Sequence, residues 1–284
     1  MMRALVLGAT GTVGPHVVTG LLDRGADAAV LTRDATRAGG VLPDGVQIAE
    51  GDPGDDDTLL RAARGADAVF LLSAHDHDMS DLQLRIVRAL RRSGARIVKL
   101  SGTSSAIHPD GPYTCRQHWE IEHVLAASGQ PHTVVRPNAF MQTLIGTIML
   151  PAVRVGGPIP NAIGGAGISF VDARDVGEVC AAVLLDPAWT GETLVLTGAR
   201  AVTFAEIAQV CGAPTVEITP ADVRENLLGR GMARWEAEHF EEMYQLFRDG
   251  ESEFVSDDVA RVLGRGPRTV EAYLRETLGA VATP

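Results

Sequence analysis

The sequence predicts an α/β fold, a doubly wound parallel sheet with a smaller α/β lobe towards the C-terminus. Three observations lead to this prediction. A short apolar run, residues 4–7, ends in a glycine-rich turn and is followed by apolar residues at helical spacing. Further short apolar runs alternate with helical patterns, which is typical of a parallel sheet covered on both faces. Several runs end in hydroxyl or acidic residues, and ligands bind at the carboxyl ends of parallel strands.

The turn at residues 8–14 reads Gly-Ala-Thr-Gly-Thr-Val-Gly. Between a strand and a helix, such glycines permit a tight turn, a close backbone approach to a pyrophosphate and close helix packing. The helix N-terminus adds N–H groups and the positive end of a dipole. Unless this is only a connecting turn, it predicts a Rossmann-type dinucleotide site with contacts from Gly8, Thr10, Gly11, Thr12, Val13 and Gly14.

The end of the second predicted strand, residues 28–31, indicates which dinucleotide binds. Thr32, Arg33 and Asp34 follow this strand. A site selective for NAD places an acidic residue here to accept hydrogen bonds from ribose hydroxyls, whereas a guanidinium pairs with a 2'-phosphate. We therefore expect NADP(H), selected by Arg33. An Asp34 side chain turned towards the ribose, or an Arg33 solvated at the surface, are the alternatives.

The third and fourth predicted strands place further residues at the same edge of the sheet. Residues 46–49 form the third strand, and Asp52 beyond its end can reach the adenine amino group. Residues 68–72 form the fourth, and Ser73 and Ala74 should pass close to the cofactor ribose.

The fifth and sixth predicted strands, residues 97–100 and 132–135, end near the reacting groups. Ser101 directly follows the fifth strand, and its hydroxyl is a candidate catalytic group. Phe140 follows the sixth strand and is expected near the nicotinamide. We expect later segments to return to the sheet, a helix over residues 172–185 and a strand over residues 193–196.

The predicted boundary between the two domains lies at residue 138. Residues 1–138 should form the NADP-binding Rossmann domain, and residues 139–284 the substrate lobe, from which residues 168–198 return to the Rossmann domain. A helical pattern over residues 220–247 carries aromatic and methionine side chains at three- and four-residue steps. It is either core or a lid over a flat, aromatic substrate.

Composition favours a cytoplasmic protein, a monomer or homodimer that acts on a small molecule. The net charge of −11 argues against a nucleic-acid partner, and no apolar run is long enough for a membrane span or a leader. The three cysteines are scattered and are expected to be reduced. The loop at residues 75–78 alternates histidine with aspartate but lacks the fixed geometry of a ligand set, so no metal is expected.

The sequence resembles the NmrA-like atypical short-chain dehydrogenase/reductases, which include NADPH-dependent quinone oxidoreductases. The resemblance runs nearly end to end and rests on residues 8–14, 126–137, 170–176 and 196–198. It implies a Rossmann fold whose C-terminal lobe forms the substrate cleft.

The resemblance also reveals a departure from the wider superfamily, in which a Tyr-x-x-x-Lys pair precedes the sixth strand. Counting back from Gly129 places the lysine position at His118 and the tyrosine position at Thr114. The resemblance implies that quinone reductases of this type also have histidine at the position of His118. A neutral imidazole can donate to the ribose or relay a proton, so His118 is a candidate for both cofactor binding and catalysis. Tyr113 is a second candidate proton donor.

Loss of the tyrosine indicates an acceptor that needs little help from a general acid. Hydride transfer to a quinone yields a weakly basic phenolate, whereas an isolated ketone yields a strongly basic alkoxide. We therefore expect an NADPH-dependent oxidoreductase that transfers hydride to a quinone-like or conjugated carbonyl or imine compound. The alternatives are a non-catalytic NADP(H) redox sensor and a dedicated biosynthetic reductase or isomerase of the same fold.

Overall fold

The computed structural model describes residues 2–279. Its strands are β1 (Arg3–Leu7), β2 (Asp27–Thr32), β3 (Gln47–Glu50), β4 (Ala68–Leu71), β5 (Arg96–Leu100), β6 (His132–Pro137), β7 (Ile159–Asn161), β8 (Gly167–Ile168), β9 (Thr193–Leu196), β10 (Val202–Thr203) and β11 (Thr215–Glu217). Its helices are α1 (Gly14–Asp23), α2 (Ala35–Val41), α3 (Asp56–Ala62), α4 (Met79–Leu90), α5 (Tyr113–Ala127), α6 (Leu150–Arg154), α7 (Ala173–Leu185), α8 (Phe204–Cys211), α9 (Pro220–Gly229), α10 (Arg234–Arg248), α11 (Asp258–Leu263) and α12 (Val270–Gly279).

The central sheet has seven strands in the order β3-β2-β1-β4-β5-β6-β9. All pairs from β3 to β6 are parallel, with Val6 opposite Val30 on one side and Phe70 on the other. The order reverses direction after β1, which is the topological switch point of a doubly wound sheet. The predicted fold class is confirmed, and the predicted strands lie within two residues of the observed ones.

One face of the sheet carries a continuous apolar cluster. Leu5 and Leu7 of β1 and Val69 of β4 pack with residues of α3 and α4, and Ile97 extends the cluster onto β5. Side chains two residues apart on a strand share a face. The next residue on this face of β5 is Lys99, which is fully buried.

Helix α1 is held close to α7 by two glycines. A Cβ on Gly20 would lie 2.8 Å from the Cβ of Ala181, and one on Gly177 would lie 2.3 Å from the Cβ of His16. Because neither glycine carries a side chain, the helices pack closely. This packing fixes the helix that begins at the glycine turn.

The described residues form two compact units, and each unit is built from three segments of the chain. The prediction had one boundary at residue 138 and one returning segment, residues 168–198. The first unit contains the chain up to Gly102, Gln117–Arg136 and Ala173–Leu194. The second contains Thr103–Arg116, Pro137–Asp172 and the chain from Val195 onwards. Along the chain, the first segment of the second unit comes after β5, the second starts at the last residue of β6, and the third starts within β9.

The second unit contains two small sheets, β10-β8 and β11-β7, with the helices α6 and α8–α12. The pattern over residues 220–247 forms two helices, α9 and α10, because Gly231 between them has a φ of +84°, which ends a helix. A π-helix, Met141–Met149, precedes α6. No helix in the described part of the chain combines the length and apolarity needed to cross a bilayer.

Candidate functional site

A cleft of about 470 Å³ opens at the carboxyl ends of β1, β2 and β4 in the first unit. We call it the glycine-turn cleft. It brings together seven of the residues proposed for cofactor binding, which come from four separate segments: Gly8, Thr10, Gly11, Arg33, Asp52, Ser73 and Ala74. The parallel order of the strands explains this convergence, since their carboxyl ends meet at one edge.

The glycine turn closes through two positions that exclude a side chain. Gly8 has a φ of +70°, and a Cβ there would lie 2.9 Å from the carbonyl oxygen of Leu72. A Cβ on Gly14 would lie only 2.3 Å from the carbonyl oxygen of Gly8. Gly11 differs, because its Cβ would meet the same oxygen at an ordinary 3.5 Å. The chain itself therefore requires glycine at positions 8 and 14, whereas position 11 has room for a side chain.

The remaining residues of the turn lead into α1. Thr12 is exposed and Val13 is buried immediately before the helix. The Val13 side chain has no acceptor with which to cap the first turn of α1. Helix starts without a side-chain cap are where phosphates bind in other proteins; here Pro15 has no N–H, and the His16 N–H donates to the carbonyl oxygen of Val13 at 3.0 Å.

The two cationic side chains of the cleft, Arg33 and Arg37, follow β2 and are exposed. Asp34 lies between them, but its Oδ1 accepts a hydrogen bond of 2.8 Å from the Arg37 backbone N–H and so caps α2. One of the two carboxylate oxygens is therefore engaged by the helix. Asp52 lies across the cleft, where its Oδ1 accepts from the Gly54 N–H at 2.8 Å.

The cleft wall after β4 is held by two glutamines that the sequence did not single out. The buried Gln83 of α4 donates from Nε2 to the Ser73 hydroxyl at 2.8 Å. Gln117 of α5 accepts from the Ser80 N–H at 2.7 Å and donates to the carbonyl oxygen of Asp76 at 3.2 Å. The loop that carries Ser73 and Ala74 is therefore tied to α4 and to α5. For Gln83 a sequence signal was available, because this amide lies on an otherwise apolar face of α4.

A second polar group of the first unit lies between β5 and α5. Lys99 Nζ is 3.0 Å from His118 Nδ1 and also donates to the carbonyl oxygen of Leu100. One turn further along α5, Glu122 accepts from the Ser101 hydroxyl at 2.5 Å. Glu122 also accepts from Arg136 Nη2 at 2.5 Å. Both catalytic candidates of this unit, Ser101 and His118, are thus engaged by buried or half-buried partners.

Lys99 is the functional candidate that the sequence analysis missed. Burial lowers the pKa of Lys99 to about 7, and the negative charge of Glu122 opposes this effect. The signal was present, because a lysine stands in the middle of the apolar strand Arg-Ile-Val-Lys-Leu. A charged residue in a strand buried on both faces requires a specific partner.

The other two proposed site residues belong to the second unit. The ring of Tyr113 lies 5.2 Å from that of Trp235, and the Arg116 guanidinium lies 5.5 Å from its centroid. Thr114 contacts His239, with 3.0 Å between Oγ1 and Nε2. Phe140 is half-buried and immediately precedes the π-helix. The roles predicted for Tyr113 and Phe140 stay predictions.

The loop at residues 75–78 is exposed, and His77 Nδ1 lies 2.7 Å from Asp78 Oδ1. Within residues 2–279, no three histidine, cysteine or carboxylate side chains are close enough together to hold a metal ion. His108 and His123 are exposed, and the ring of His123 lies 4.5 Å from that of Trp119.

These features fit a dinucleotide. The open position at Gly11 leaves room for a pyrophosphate against the backbone. The two arginines follow the second strand, which is where proteins of this fold bind a 2'-phosphate. Sheet order, the glycine turn and the two arginines that follow β2 together define a dinucleotide-binding protein of the Rossmann class.

The chain belongs to the NmrA-like family, whose model matches residues 2–274. It is 30% identical to an NAD(P)H azoreductase of Xenophilus azovorans over 95% of this chain and 96% of the relative. It is 32% identical to a (4-alkanoyl-5-oxo-2,5-dihydrofuran-3-yl)methyl phosphate reductase of Streptomyces griseus, with 98% and 99% covered. The crystal structure of an NADPH-dependent quinone oxidoreductase from Escherichia coli superposes with a TM-score of 0.85, 20% identity and coverage of 97% and 99%.

The glycine turn yields a prediction that separates folding from ligand binding. Gly11→Ala should leave thermal stability close to that of the wild type, because the added methyl group has room, but should weaken NADPH binding at least tenfold. Gly14→Ala should instead lower the melting temperature, since the backbone around Gly8 must shift. Calorimetric titration with NADPH and thermal unfolding of both variants test this. Unchanged NADPH affinity in Gly11→Ala would contradict the assignment.

Lys99 yields a prediction about stability and pH. Unfolded lysine has a pKa of about 10.4, so between pH 7 and 10 the unfolded chain binds more protons than the folded chain. The wild type should therefore gain stability relative to Lys99→Met as pH rises from 7.5 to 9.5, by at most about 1.4 kcal/mol per pH unit. Urea unfolding of both proteins measures the difference. A difference independent of pH would show that Lys99 is charged throughout this range.

Proposed function

We propose that the protein is an NADPH-dependent oxidoreductase that reduces a conjugated small-molecule acceptor, such as an azo, quinone or unsaturated carbonyl compound. The observation that carries the proposal is the convergence of the glycine turn and two arginines in one cleft. The family supports it, because the two relatives described above, which are 30% and 32% identical, are named as reductases.

The cleft supports NADPH rather than NADH. A 2'-phosphate carries additional negative charge, and the guanidinium groups of Arg33 and Arg37 are free to approach it from the solvent side of the cleft wall. One oxygen of the Asp34 carboxylate accepts from the N–H of Arg37, which holds this side chain at the start of α2. Gly8, Gly11 and the start of α1 hold the pyrophosphate, with Asp52 beside the adenine and Ser73 beside the ribose.

The acceptor class follows from what the chain offers for proton transfer. When bound, the reduced nicotinamide supplies the hydride. The chain supplies a half-buried imidazole at His118, hydrogen-bonded to a buried lysine, as its proton source. Conjugated acceptors suit this arrangement, because the negative charge created on them is delocalised and needs only a weak proton donor. The azo group and the unsaturated lactone in the relatives' names are conjugated in this sense.

The first test follows the absorbance of reduced nicotinamide with purified protein, NADPH or NADH, and a panel of azo dyes, quinones, unsaturated lactones and simple ketones. We expect NADPH oxidation with the conjugated acceptors and little with the ketones. Oxidation should fall in His118→Asn. If none of the acceptors is reduced although calorimetry shows tight NADPH binding, the redox-sensor alternative replaces the proposal.

Cofactor preference gives a separate prediction. Arg33→Ala should raise the Kd for NADPH about 10- to 100-fold, the loss expected for a charge-assisted hydrogen bond, and should leave the Kd for NADH nearly unchanged. Arg64→Ala is the matched control, because it removes the same charge from an exposed position after α3. Equal losses for both nucleotides would remove Arg33 from the phosphate site.

A further inference from the structure

The chain contains a pair of basic side chains in direct contact. Lys99 projects from the middle of β5, is fully buried, and places Nζ 3.0 Å from Nδ1 of His118 on α5. The same Nζ donates to the carbonyl oxygen of Leu100. Burying a lysine is costly unless it is paired, so a lysine here needs a reason beyond packing.

The contact determines which nitrogen of His118 carries the proton. A lysine ammonium has three donors and no acceptor. When Lys99 is charged, Nδ1 of His118 must therefore accept its hydrogen bond, and the ring proton lies on Nε2. Two positive charges 3.0 Å apart repel each other, so a charged Lys99 also disfavours an imidazolium. Lys99 thereby favours a neutral ring whose Nε2–H is a donor.

Neighbouring charged and polar groups also affect the charge of Lys99. On α5, Glu122 lies one turn beyond His118 and attracts the proton of Lys99. On β6, Arg136 neutralises part of that charge through its contact with Glu122. On β5, Ser101 donates to the same carboxylate. The opposing effects of burial and Glu122 leave Lys99 able to gain and lose a proton near neutral pH, because its pKa is about 7.

We propose that Lys99 is the positioning residue of His118, which holds the Nε2–H tautomer and returns a proton to the ring after His118 has given one up. The inference rests on the proposed function for the step in which the Nε2 proton goes to the reduced acceptor. In that step the Nε2–H bond breaks and Nδ1 takes a proton from the Lys99 ammonium. The result is a neutral amine and a neutral ring, and solvent protons restore the starting state.

The direct test observes the ring rather than the activity. The protein has eight histidines, so ¹⁵N-labelled histidine with His118→Asn as the assignment reference identifies the signals of His118. At pH 6.5, wild-type His118 should show one protonated nitrogen, Nε2, and an Nδ1 shift typical of an acceptor. Lys99→Met should convert it to a mixture of tautomers or to an imidazolium. An unchanged tautomer in a folded Lys99→Met would overturn the proposal.

The matched control is Arg96→Met, because Arg96 is also buried and cationic and lies on the same strand. Its Nη2 donates to the carbonyl oxygens of Val183 and Leu184. This variant should lose stability but retain the wild-type His118 spectrum. If Lys99→Met does not fold, Lys99→Leu also removes the donor, and a single Nε2–H tautomer of His118 in that variant would equally overturn the proposal.

Kinetics provide the second readout. In Lys99→Met, kcat should fall at least tenfold for acceptors that yield a basic anion, such as an unsaturated lactone, and less for quinones, whereas KM for NADPH should change less than twofold. An equal loss for all acceptors would indicate a structural role. If no acceptor is reduced but the spectrum of His118 depends on Lys99, the proposed function fails while the positioning role stands.

Discussion

The fold of the first unit depends on the distance between a carbonyl oxygen at the end of β1 and the first residue of α1. The Gly8 oxygen and Gly14 approach so closely that a methyl group on Gly14 would overlap the backbone. This approach permits α1 to run back along the sheet, with α7 packed against it at Gly20 and Gly177. The strand ends and the helix start then face one cleft, to which α2 and the loop after β4 contribute their polar side chains.

Much of this arrangement could be predicted because it is local. The glycine spacing, the apolar runs and the residues after each strand specify the order of elements and the residues at the sheet edge. Gly8, Arg33 and Ser73 converge from sequence-distant segments, yet the carboxyl ends of parallel strands must be neighbours. The family assignment from residues 8–14 and the later motifs is likewise confirmed.

The rest could not be predicted, because it depends on how helices pack. Nothing near Lys99 in the sequence indicates that its partner is His118, since the contact requires the register of α5 against β5. Gln117 binds residues 76 and 80 for the same reason. The separation of α9 from α10 had a local signal in Gly231, which the side-chain periodicity on either side obscured.

The buried lysine also constrains how the sheet can assemble. Side chains alternate between the two faces of a strand, so sliding β5 by one residue would move Lys99 to the opposite face. There it would lose His118, while an apolar neighbour took its place beside the polar side chains of α5. Apolar strands of similar length can align in several ways, and a single misplaced ammonium group makes most of these alignments unfavourable. Lys99 therefore also helps to specify the register of β5 in the sheet. Its burial makes the folded arrangement more specific at some cost in stability.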